Sequence, residues 1–178
     1  MAKHYSYRVD HDRGFAPYLV GDIAMVCGCK SSTIERWAEP GTWVVGIGGK
    51  GTGKPDALIY AMRVDYTPSF LEFSKRWPDE SKKHRDMDTD PDVPVLVSEH
   101  FYYFGNNALK IPRGLKDIVI HAQGCKRING TDVTKLRRLL TRQGEPGAYG
   151  VPNNKPVFSE VKMTRRPSKG CRIGRPKC

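Results

Sequence analysis

Short apolar runs separated by turn residues predict an α+β fold, built on a small, mostly antiparallel, β-barrel-like sheet with a few short helices and a basic C-terminal tail. Three observations carry this expectation. Eighteen Gly and thirteen Pro in 178 residues interrupt the chain too often for long helices. Strand-like runs outnumber helical ones and several are joined as hairpins. The charge is also uneven. Residues 1–125 hold 16 Lys+Arg and 16 Asp+Glu, whereas residues 126–178 hold 14 and 3, so the whole net charge of +11 lies in the last 53 residues.

Residues 3–9 alternate aromatic and polar groups and read as a strand with Tyr5, Tyr7 and Val9 on one face. Residues 10–22 read as a loop and Ile23 to Val26 as a short buried strand. Ser31 and Ser32 precede Glu35 with capping-box spacing, which predicts a short helix stopped by Pro40-Gly41. Trp43 to Gly48 and Ala57 to Val64 are apolar runs around a Gly-rich loop, which predicts a long hairpin. Pro68 to Arg76 predicts a helix capped by Thr67 or Ser69. Residues 78–94 show no apolar periodicity and read as an exposed loop.

Val95 to Ser98 and Phe101 to Phe104 are strand-like, and Ile118 to Ile120 is a further apolar run. Thr131 to Arg142 predicts a helix capped by Thr131 or Asp132. Its apolar stripe is Val133, Leu136, Leu139 and Leu140; its other face holds Lys135, Arg137, Arg138 and Arg142. Residues 144–178 are poor in aliphatic side chains and predict an extended or disordered tail. The domain expectation is therefore a β-rich nucleotide- or base-binding unit over 1–143 and a basic tail over 144–178.

No run approaches the ~20 apolar residues that span a bilayer, and the N-terminus lacks the apolar core of a secretory signal. The expectation is a cytoplasmic protein, independent of membranes, with its five cysteines reduced. Gly48 to Lys54 spells a G-x-x-x-x-G-K phosphate loop, but Pro55 stands where Ser or Thr would hold magnesium, and a strand follows instead of a helix. Cys27 and Cys29 are too close for a C-x-x-C zinc pair. Neither a metal nor a cofactor is expected.

The loop from His11 to Pro17 joins an imidazole, a carboxylate, a guanidinium and Phe15. His11 or Asp12 is a candidate general base. Cys29, next to Lys30, is a candidate nucleophile, because a neighbouring cation lowers a thiol pKa. Aromatic groups also cluster near glycines, with Trp43 before Gly46 and Gly48, and Tyr103 before Gly105; such rings stack on bases.

The order of these segments resembles the nucleotide modification associated domain 2 family. The residues that carry the resemblance are Tyr5 to Val9, His11 to Pro17, Cys29-Lys30, Gly41 to Gly48, Tyr60 to Val64 and Phe101 to Gly105. Where the family pattern has Gly-Asp before the tryptophan, this chain has Gly41-Thr42. The resemblance implies a role in bacterial or phage systems that modify DNA bases. The Trp43 strand is also similar to the matching strand of PUA-like and EVE-like barrels, which hold a modified base in an aromatic pocket.

Together these readings predict a module that binds nucleic acid, DNA before RNA, or a nucleotide. Asp12, Phe15, Lys30, Trp43, Gly46, Gly48, Tyr103 and Gly105 would line a base site, with the base between Trp43 and Tyr103. Lys135, Arg137, Arg138, Arg142, Arg165 and Arg166 would hold phosphates. The alternatives are an enzyme on a nucleotide or modified base using His11, Asp12 or Cys29, and an accessory protein whose tail docks on an acidic partner.

Overall fold

The computed structural model describes residues 2–14, 17–27, 31–84 and 90–154. In chain order the elements are β1 (His4–Val9), β2 (Tyr18–Val20), β3 (Ile23–Val26), α1 (Ser31–Trp37), β4 (Trp43–Gly48), β5 (Ala57–Arg63), α2 (Phe70–Arg76), α3 (Pro78–His84), β6 (Leu96–Ser98), β7 (His100–Tyr103), β8 (Leu109–Lys110), β9 (Cys125–Ile128), α4 (Gly130–Thr141) and β10 (Gly147–Ala148). Among the described residues, no helix is long and apolar enough to cross a membrane.

The strands form two sheets. The larger runs β10-β7-β5-β4-β1-β9, with β8 also paired to β5; the smaller runs β2-β3-β6. The predicted hairpin exists as the antiparallel β4–β5 pair, with Trp43 opposite Arg63. Two pairs are parallel, β1 with β4 and β10 with β7. The expected closed barrel is not what forms: the large sheet is open, ending at β9 and β10. Both of its faces are covered, so closure is not needed to bury them.

One face carries Trp43, Val45, Ile47, Tyr102 and Phe104, packed with Val133, Leu136 and Leu140 of α4 and with Leu115 and Ile118 from the turn at 113–118. Burying three such aliphatic side chains of α4 contributes about 1.5–3 kcal/mol each. The opposite face carries Tyr7, Val44, Tyr60 and Tyr103 against α1 and the small sheet. The small sheet in turn packs Met25, Val95 and Val97 against Phe70 and Phe73 of α2.

Several local expectations change. α4 starts one residue earlier than predicted, and its cap is Asn129, whose side chain accepts from the Asp132 amide. Ser69 caps α2 with a complete capping box through Glu72. Residues 78–84, expected in a loop, form α3. Pro78 stands at its first position, where a missing N–H costs nothing, and Asp79 and Glu80 suit the helix dipole. Tyr18 to Val20, also expected in a loop, is a strand.

The C-terminal segment does not run free from residue 144. β10 adds to the sheet beside β7, and Tyr149, Asn106 and Asn154 amides bond to Tyr103, Val151 and Asp12 carbonyls respectively. Two glycines permit this approach. A Cβ on Gly150 would lie 2.7 Å from Asn106 Oδ1 and 2.9 Å from the Phe104 carbonyl carbon. Gly105 turns with φ 50°, and a Cβ there would lie 2.8 Å from the Val151 carbonyl carbon.

Candidate nucleic-acid interface

The sheet register brings three tyrosines into one row. Tyr7 lies opposite Gly46, Gly46 opposite Tyr60, and Tyr60 opposite Tyr103. Alternation along each strand puts all four positions on one face. Gly46 is a seat for a ring: a Cβ there would sit 2.5 Å from Tyr60 Cδ1. The Tyr60 hydroxyl donates to the Tyr7 hydroxyl at 2.7 Å, and the Trp37 ring lies 5.2 Å from that of Tyr7. Among the described residues, the Trp37 Nε1 has no hydrogen-bond partner.

Asp12 closes the row. The Tyr103 hydroxyl donates to its carboxylate, 2.8 Å from Oδ1 and 2.9 Å from Oδ2. The backbone N–H and the Nδ2 of Asn153 reach Oδ2 at 3.1 and 3.2 Å. The Asp12 amide donates to Asn154 Oδ1 at 2.8 Å, and Asn154 Nδ2 donates to the Gly51 carbonyl at 2.9 Å. Asp12 is 2% exposed and most of its acceptor capacity is used by protein donors, so its observed work is to fasten residues 150–154 to the loop at 10–14. Burial raises the Tyr103 hydroxyl above the ordinary phenol range, and the Asp12 charge and hydrogen bond raise it further. Burial does the same for Tyr60, helped by Tyr7.

The expected pairing of Trp43 with Tyr103 around a base does not form. Trp43 packs on the α4 side of the sheet and Tyr103 on the other, with 4% and 1% exposure. The backbone N–H of Trp43 donates to His4 Nδ1, and its ring meets His100 edge-on. Gly48 serves the hairpin, where a Cβ would lie 3.0 Å from Thr52 Oγ1. Gly105 receives the C-terminal segment. Of the acid–base candidates, His11 is exposed, with its ring against Gly51. Phe15, Cys29 and Lys30 lie outside the described residues. Cys27 is buried, and burial pushes its thiol up to about 12, which leaves it protonated and a poor nucleophile.

The phosphate candidates of α4 do come together, and they gain company. Lys135, Arg137, Arg138 and Arg142 are all exposed. Lys135 reaches across to the turn at 113–118, donating to the Gly114 carbonyl at 3.0 Å while pairing with Asp132 at 3.3 Å. That turn exposes Arg113 and Lys116, and the neighbouring edge strand β9 exposes Lys126 and Arg127. Lys126 pairs in register with Ser6, so it leans to the α4 side, whereas Arg127 pairs with Tyr5 on the other. From residue 109 to 142 the chain holds nine Lys or Arg and two acids, Asp117 and Asp132. Arg165 and Arg166 lie outside the described residues.

Sequence reasoning missed Arg113, Lys116 and Lys126 because they come from separate elements that meet only in the fold. It also missed Asn153 and Asn154, whose role depends on Asp12. The charge count over 109–142 was the available signal for the former.

These features define an open-sheet α+β domain with one cationic face. Residues 1–86 and 74–159 match the family described as nucleotide modification associated domain 2, and the chain belongs to that family. The family description associates it with nucleotide modification. No curated protein and no solved structure matches the chain.

Proposed function

We propose that this chain is a nucleic-acid-binding module of a nucleotide-modification system, gripping phosphates with the surface made by α4, the turn at 113–118 and β9. The observation that carries this reading is the gathering of Arg113, Lys116, Lys126, Lys135, Arg137, Arg138 and Arg142 on one side of the large sheet, with Asp117 the one exposed acid in 109–142. Cations held at fixed positions on helix and strand neutralise phosphates and so release the counterions condensed on them. The basic residues of 155–178, including Arg165 and Arg166, add to the same attraction. DNA is the first partner to test, given the modification context of the family.

The test is a fluorescence-anisotropy titration of a labelled DNA oligomer with the full chain, repeated between low and physiological salt. The reading expects log–log salt dependence that loses about three units of slope when Arg137, Arg138 and Arg142 are all changed to Glu. Unchanged affinity and slope in that variant would reject the face as the grip.

A further inference from the structure

The geometry points to double-stranded nucleic acid, held through its backbone without stacking on bases, as the partner of the α4 face; this rests on the nucleic-acid reading above. Single-strand binders combine a cationic groove with exposed aromatic platforms. Among the described residues, the exposed large hydrophobic side chains are Leu71 and Val151, and neither belongs to α4, β9 or the turn at 113–118. The aromatic residues beneath the face, Trp43, Tyr102 and Phe104, are buried by α4 and that turn. The rings that reach the surface on this side, Tyr149 and His100, are each half-buried, Tyr149 stacked on Tyr102 and His100 edge-on to Trp43, so the face offers mainly charge.

With no large apolar side chain fully exposed on it, the face also lacks the apolar centre that many protein interfaces bury.

The cations also have the layout a duplex needs. Lys135, Arg138 and Arg142 are spaced three and four residues apart, so they form one stripe ~10 Å long on a helix. The turn and β9 widen this stripe into a surface by adding Arg113, Lys116 and Lys126. A duplex presents two phosphate strands, about one charge per 1.7 Å of axis, and fills such a surface better than one strand does. Among the described residues, Arg113, Lys116, Lys126, Arg137, Arg138 and Arg142 make no salt bridge, whereas Lys135 pairs with Asp132.

The deciding experiment compares the full chain on a duplex and on each of its single strands at equal length and fixed salt. It is repeated with two unrelated sequences and with the R137E/R138E/R142E variant. The expected result is duplex affinity at least tenfold above single-strand affinity, equal for both sequences. In the variant, duplex affinity falls at least tenfold and the preference falls toward one. A circular-dichroism spectrum confirms that the variant is folded; Arg138→Gln alone, with a smaller loss in the same direction, serves if it is not. Single strands bound as tightly as the duplex, or a preference that survives in the variant, would overturn the inference while leaving nucleic-acid binding intact. No binding to any of these oligomers would instead reject the function itself.

Discussion

Replacing Asp12 with Ala should loosen the C-terminal segment and cost the fold more than a typical substitution. Asp12 accepts from the Tyr103 hydroxyl and from the Asn153 backbone and side chain, at 2.8 to 3.2 Å, in a site 2% exposed. Removing the carboxylate strands at least two of these donors, each at about 1–3 kcal/mol. The expected loss is therefore about 4 kcal/mol, or about 8–16 °C in Tm for a chain of this size. Tyr103→Phe removes one donor and leaves the carboxylate bonded to Asn153, so it should cost about 1–2 kcal/mol. Thermal unfolding measures both. Hydrogen exchange localises the effect, because the Asn106, Tyr149 and Asn154 amides should lose protection in Asp12→Ala before the β4–β5 pair does. A Tm within about 2 °C of the parent, with those amides unchanged, would refute the fastening role.

Truncation should separate the fastened segment from the rest of the tail. Ending the chain after Asn154 should leave Tm nearly unchanged, whereas ending it after Gln143 removes β10 and should lower Tm markedly, read by differential scanning fluorimetry. Gly46→Ala should destabilise by about 1–3 kcal/mol in urea, because its Cβ would collide with the buried Tyr60 ring. Stability should also fall on mild acidification. Burial lowers His4, against the raising effect of Glu39 and with some help from Arg127, and its neutral Nδ1 accepts from the Trp43 amide. The unfolded imidazole, near pKa ~6.5, takes up protons first. The contribution of His4 is thus complete above that value and is lost as pH falls through the lowered folded value. His4→Gln should flatten this part of the pH–stability curve.

The hairpin β4–β5 and helices α1, α2 and α4 were legible because each has a local signature: an apolar run, a capping pair, or a stripe at helical spacing. β9 was not, since Lys126 and Arg127 occupy its centre, as suits an edge strand that must not pair further. β10 is two small residues held by the backbone of β7 beside it and by the distant contacts of Asp12 with residues 153–154, none of which leaves a local signature. The barrel expectation failed for a related reason. Strand order depends on which edges α4 and the small sheet leave open, and no single segment states that. The exposed basic residues of α4 were readable from polarity on a helix face. That Trp43 and Tyr103 lie on opposite faces was not, because it depends on how β4 and β7 register through β5. Each strand read alone looked equally able to offer its ring.

The most direct check on the cationic face is lysine-acetylation footprinting of the full chain, with and without saturating duplex DNA, read by mass spectrometry. Lys116, Lys126 and Lys135 should become protected while Lys75, exposed on α2 next to the small sheet, stays reactive. Protection at Lys75 with none at the other three, or no protection anywhere in 109–142 despite bound DNA, would contradict the account.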